Sequence, residues 1–243
     1  MSIVANSVVH TQMAQPHGRS PARVCVVIAA YNEASVIGRV ISEVKRRGYT
    51  IVVVDDGSSD RTAEASAAAH VLIRHPINLG QGAALQTGID FALERGADII
   101  VTFDADGQHR VVDIEKLIQA VRKADVDFAL GSRFLGRSDG IPAARRVLLK
   151  AATLFTQLTT SLRISDTHNG LRAMTRRGAR VIRLRQNRMA HASEILSQIA
   201  ASGLGYIEVP VSIEYSAYSL AKGQTIGDAL MILLDLFARR LYR

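Results

Sequence analysis

The sequence predicts an α/β fold: one domain with a mostly parallel central sheet and helices on both of its faces. Short apolar runs at 24–30, 51–54, 99–103 and 128–130 alternate with stretches of helical period, the pattern of a parallel sheet buried on both sides. Two of those runs end in acids and turn formers, Asp55-Asp56-Gly57-Ser58-Ser59-Asp60 and Asp104-Ala105-Asp106-Gly107-Gln108. Paired acids at two strand ends place a polar crevice at the carboxyl edge of the sheet, where open α/β sheets bind ligands.

Each element follows from its own residues. Val24 to Ala30 is a continuous apolar strand broken by Tyr31-Asn32-Glu33. Val36, Ile37, Val40, Ile41 and Val44 then recur at helical spacing within Ser35 to Arg47, and Gly48 is placed to stop that helix. Strand 51–54 and its acidic turn lead to an Ala-rich helix from Thr62 to about Ala69 and a short strand, Val71 to Arg74. Asn78-Leu79-Gly80-Gln81-Gly82 opens a helix over Ala83 to Arg95, and Ile99 to Phe103 delivers Asp104 and Asp106. A helix over Val112 to Lys123 precedes Phe128 to Leu130. Beyond Arg133 the spacing predicts a helix after Pro142, a turn at Asp166–Arg172, a helix around Ala192 to Ala201 and a strand over Tyr206 to Ile213. The boundaries expected are a disordered arm at 1–22, the α/β domain at 23–225, and a membrane- or partner-facing amphipathic helix at 226–243.

Composition narrows the function. The 243 residues are 48% hydrophobic but only 5% aromatic, with no Trp and a net charge of +8. Aromatic residues this sparse make no stacking platform for bases, so nucleic acid is not expected as a partner. The basic excess fits phosphate-rich substrates or an anionic membrane surface. Cys25 is the single cysteine and reads as a core thiol in a reducing compartment. No stretch reaches the ~18 apolar residues of a membrane span, and the first 22 residues lack signal-peptide features. The expected location is the cytoplasm, peripheral at the cytoplasmic face of a membrane.

The chemistry centres on Asp104 and Asp106. Two carboxylates one residue apart, with the Gln108 amide two residues further on, offer the oxygen ligands that Mg²⁺ or Mn²⁺ favours and shares with substrate phosphates. His109 reads as a packing or hydrogen-bonding residue rather than a ligand. Gly80 and Gly82 do not complete a dinucleotide-binding Gly-x-Gly-x-x-Gly.

Five motifs in order, Ala29-Ala30-Tyr31-Asn32-Glu33, Val54 to Asp60, Asn78 to Gly82, Asp104 to His109 and Gly131-Ser132-Arg133-Phe134, resemble inverting family 2 glycosyltransferases of GT-A (Rossmann-like) fold. Asp166-Thr167, followed by Gly170-Leu171-Arg172, is similar to a later element of the dolichol-phosphate mannosyltransferase-like branch. The resemblance covers residues 23–225 and implies a UDP- or GDP-sugar donor. It implies that Ala30, Tyr31, Glu33, Val54 and Asp56 border the base and ribose. Asp104, Ala105 and Asp106 would approach the diphosphate, with Asp106, Gln108 and Asp104 holding the metal. Arg133 and Lys222 match basic residues that hold phosphate in that branch. Several relatives carry an Arg where this chain has Ser216, and Arg172 or another basic residue is a candidate to replace it.

Two acceptors stay open. A polyprenyl phosphate oxygen is already anionic and can attack without deprotonation, whereas a saccharide hydroxyl needs a general base. Arg133, Arg145 and Arg146 favour the anionic acceptor, and Glu194 stands where a base for a glycan hydroxyl is expected. A lipid acceptor further implies a separate small membrane protein as anchor. A sugar-1-phosphate nucleotidyltransferase would need a Gly-rich loop where Tyr31-Asn32-Glu33 stands. A non-catalytic binding module would be free to lose either acidic motif, and both are intact.

Overall fold

Seven strands lie side by side in the computed structural model in the order β3-β2-β1-β4-β7-β5-β8. The structure describes residues 22–136, 138–139, 143–160, 162–186 and 190–214. The expected arm before residue 22, Lys222 and the helix expected at 226–243 lie outside the described residues.

Strands β1 (Val24–Ala30), β2 (Thr50–Asp55), β3 (Val71–Arg74) and β4 (Ile99–Asp104) are mutually parallel, joined through helices α1 (Ile37–Lys45), α2 (Thr62–Ala65) and α3 (Gln81–Glu94). After α4 (Val112–Lys123) come β5 (Phe128–Ser132), the short β6 (Ser138–Asp139) and α5 (Ala143–Thr160). Then follow β7 (Arg172–Thr175), α6 (Arg176–Val181), α7 (Ala190–Ser202), β8 (Tyr206–Pro210) and β9 (Ile213–Glu214). β6 and β9 form a separate two-stranded pair.

Alternation along the strands sorts the core into two layers. Val26 and Ile28 of β1 face α1 and α4, packing with Ile37, Val40, Ile41, Ile114, Leu117 and Ile118. Cys25 and Val27 face the other way, toward Leu85 and Ile89 of α3 and Ile195, Leu196 and Ile199 of α7. Each such aliphatic side chain contributes about 1.5–3 kcal/mol when removed from water. The helix periods read from the sequence follow from this two-sided burial.

The departure from a parallel sheet is β7. It runs antiparallel between β4 and β5, with Arg172 opposite Thr102 on one side and Leu130 on the other. Because it runs backward, its first residues arrive at the carboxyl edge where β4 and β5 end. Thr102 fastens the junction, its Oγ1 donating to the Gly170 carbonyl at 2.7 Å.

Candidate active site

At the β1 and β2 edge, two loops are laced into one fabric. The Asn32 amide donates to Ser58 Oγ, the Glu33 amide to Thr62 Oγ1 and the Ala34 amide to Asp60. The Ser59 amide returns a bond to Asn32 Oδ1, and Asn32 takes a left-handed φ of 54° to allow it. Tyr31 stands 43% exposed over this edge, while Glu33 is buried.

Asp56 is committed to the scaffold. Its Oδ1 accepts the Leu79 amide at 3.0 Å and pairs with His75 Nδ1 at 2.7 Å, and its Oδ2 accepts the Gly80 amide at 2.7 Å. It thereby pins the loop that opens α3. Ala30 and Val54, at and near the ends of β1 and β2, are buried in the core. In the second turn Asp55, also fully buried, accepts the Ser58 amide and pairs with Arg74.

The β4 edge is the electrostatic centre. Asp104 Oδ1 accepts from Gln81 Nε2 at 3.3 Å, and Oδ2 pairs with His109 Nε2 at 3.0 Å. Burial opposes the charge on Asp104, yet the His109 hydrogen bond, with Arg172 and His191 nearby, holds its carboxyl below the usual range. His109 also packs on Phe103, with ring centroids 5.8 Å apart, in keeping with a hydrogen-bonding and packing role.

Asp106 behaves oppositely. Burial first, and then the Asp104 charge, push its carboxyl up to about 6, although it accepts the Gln108 amide at 3.0 Å. Two carboxylates that repel each other in a half-buried turn gain most from a divalent cation between them and a substrate phosphate. The donor set therefore fits such an ion. Among the described residues no group of three His, Cys, Asp or Glu side chains converges as a complete metal cage. An ion that keeps waters and substrate oxygens as its other ligands needs none. Ala105 between them is buried, and Gln108 binds Glu214 through its carbonyl.

Behind Asp104 stands the 166–172 element. Gly170 lies so close that a side chain there would overlap both Asp104 oxygens, with a Cβ only 2.5 Å from Cγ. Arg172 is buried, donates to the Thr167 carbonyl and has its guanidinium lowered to about 10 by burial, against the pull of Asp104 and Asp166. Arg133 is buried too: its Nε donates to Asp166 at 2.6 Å, its Nη2 to the His168 carbonyl and its amide again to Asp166. The His168 ring, pushed down to about 4 chiefly by burial, is neutral.

The remaining nominated residues lie apart. Glu194 on α7 accepts the Arg185 amide with both oxygens and the Gln186 amide with one, which makes it the anchor of the 185–186 loop. Arg146 is exposed on α5, and Arg145 lies on the same helix with its side chain outside the described residues. Gln81 and Gly170 were missed by sequence reasoning. Gly170 sat inside a recognised element, but nothing local told that Asp104 lies against it.

The family described as Glycosyl transferase family 2 matches residues 25–183. A UDP-N-acetylglucosamine–dolichyl-phosphate N-acetylglucosaminyltransferase of Methanococcus voltae is 32% identical over 224 residues, covering 83% of this chain and 89% of the relative. A polyprenol monophosphomannose synthase of Mycolicibacterium smegmatis is 31% identical over 229 residues, covering 87% and 86%. In fold, the chain is similar to a glucosyl-3-phosphoglycerate synthase of Mycobacterium tuberculosis crystallised with Mn²⁺, UDP and phosphoglyceric acid. That TM-score is 0.67 at 16% identity, over 90% of this chain and 78% of the other.

Proposed function

The chain belongs to glycosyl transferase family 2 and is a glycosyltransferase, and from that premise we propose that it moves a sugar from a nucleotide-sugar donor to a polyprenyl phosphate, with inversion, in a metal-dependent reaction. The observation that carries this reading is the Asp104–Asp106 pair, one carboxylate held by His109 and Gln81, the other bonded to the Gln108 amide and repelled by the first. A divalent cation held by Asp104, Asp106 and Gln108 would supply Lewis-acid neutralisation of the departing nucleotide diphosphate. Mg²⁺ and Mn²⁺ both suit these oxygen ligands.

The chain's own residues orient the reaction. His109, Gln81 and Gly170 fix where the Asp104 carboxylate sits. Arg172, buried between Asp104 and Asp166, puts fixed positive charge at the edge where phosphate oxygens arrive. Arg133 acts through Asp166 by holding the 166–170 loop beneath that edge. Tyr31, exposed at this edge, is the ring proposed to lie against the base, with UDP and GDP donors both compatible with Glu33.

The acceptor is read as a lipid phosphate on two grounds. One named relative carries dolichyl-phosphate in its description and the other polyprenol monophosphomannose. Glu194, the base a hydroxyl acceptor would require, has its oxygens engaged by backbone amides. Among the described residues no helix is long and apolar enough to cross a membrane. α5, however, exposes Val147, Leu154 and Leu158 along one stripe with Arg146 and Lys150 beside it, a pattern suited to a bilayer surface. We expect a small membrane protein to serve as anchor. Full activity of the purified chain on a lipid acceptor without detergent argues against that partner.

The test is transfer with Mn²⁺, a panel of UDP- and GDP-sugars and a short polyprenyl phosphate. Sugar should appear on the lipid, and Asp106→Asn should abolish both transfer and Mn²⁺ binding; undiminished transfer by that variant overturns the assignment. Glu194→Gln should leave kcat within a few-fold. A loss of about 10²–10⁴-fold, as for a missing general base, would move the acceptor to a saccharide hydroxyl.

A further inference from the structure

On the α1–α4 face, behind the metal loop, lies a groove of about 450 Å³. Its rim carries Arg39, Arg46, Arg47 and Arg110, against Glu43 and Glu214. All four arginines are exposed. Arg110 pairs with Glu214 at 3.6 Å, and Arg47 feels Glu115 and Tyr49. Among the described residues Arg39 and Arg46 have no ion pair, even though Glu43 stands in the same groove. Four arginines against two glutamates leave the concavity with an excess of positive charge, which favours an anion.

The groove is separate from the donor edge. Tyr31, Asp56, Gly170 and Arg172 are absent from its walls, and the two places share only the 103–110 segment. There the contact is close. The Arg39 guanidinium lies over Gly107, where a Cβ would come within 2.9 Å of Nη2. His109, which lines the groove, is the hydrogen-bond partner of Asp104.

We propose that this groove is a second anion site, built for a phosphate-bearing ligand and backing onto the loop that carries Asp104 and Asp106. Its volume suits a ligand of small-metabolite size, and Arg forks match phosphate oxygens in pairs. The phosphate could come from a soluble metabolite or from a lipid headgroup. The site does not depend on the transferase reaction, so direct binding tests it.

The experiment titrates the full chain with inorganic pyrophosphate by calorimetry, in EDTA so that metal-dependent binding at the donor edge is silent. Wild-type protein should bind it saturably, and the His109 ring resonances should shift in parallel. The Arg46→Gln/Arg47→Gln double variant, with its thermal midpoint checked, should bind about tenfold more weakly or worse. Arg39→Gln provides a second, independent lesion. Co-sedimentation with phosphatidylglycerol vesicles forms the other arm. Arginine-dependent vesicle binding without pyrophosphate binding assigns the phosphate to lipid. Affinity unchanged in the variants, or no binding of either probe, overturns the proposal.

Discussion

Asp104 owes its position to a residue with no side chain. Gly170 sits where a methyl group would collide with the whole Asp104 carboxylate, so Gly170→Ala should force that carboxylate off its His109 and Gln81 partners. Overpacking of this kind costs about 1–3 kcal/mol. We expect a lower thermal midpoint together with Mn²⁺ affinity reduced about tenfold, read by metal titration. Asp106 adds a pH signature. Its metal-free carboxyl is raised to about 6 by burial and by Asp104, so protons compete with the cation below that value. Apparent Mn²⁺ affinity should fall as pH drops through about 6, and a flat profile between pH 5 and 7.5 would refute it. The acids themselves were legible in the sequence, since carboxylates at a strand end announce a ligand edge. The engagement of Asp56 with Leu79, Gly80 and His75 was not, because those contacts come from a loop that folds back across it.

The β5–β7–α6 corner is held by one carboxylate. Asp127 accepts Thr175 Oγ1 at 2.5 Å and the Arg177 guanidinium at 2.9 and 2.5 Å, while its carbonyl takes the Thr175 amide. Thr175 in turn caps α6 by accepting the Gly178 amide. The Arg177 hydrogen bond, outweighing burial, lowers the Asp127 carboxyl. A lowered carboxylate contributes stability above its unfolded pKa of about 4, and that contribution disappears as pH falls through the folded value. Asp127→Asn should cost about 1–2 kcal/mol at pH 7, moderated because Arg177 is largely exposed and screened. Urea unfolding at pH 7 and pH 3 should show the gap to wild type closing in acid. Elements with a long apolar period were readable: α4 falls on Val112–Lys123 as the spacing predicts. The Ala-rich helix expected to reach Ala69 stops at Ala65, since Ala alone supplies no apolar stripe to bury. β7 has only four residues and no alternation, being buried against neighbours on both sides. Its place in the sheet was set by pairing with β4 and β5, which local pattern does not encode.

Across the whole molecule, Cys25 reports on the sheet. It is buried on β1 between β2 and β4, and burial pushes its thiol up to about 12. A thiolate is the reactive form, so labelling of native protein by an alkylating reagent should be slow and should track global opening. Labelling at the rate of the urea-unfolded chain would show that β1 opens locally. The strand order has another consequence, for the chain as it is made. β4 is complete at Asp104, yet the strand that covers its open side begins at Arg172. At about 5–20 residues per second of synthesis, the apolar Ile99–Phe103 edge waits on the order of ten seconds for its neighbour on the ribosome. An unpaired apolar edge is a template for foreign strands, which makes this interval the one in which a nascent-chain chaperone has most to protect.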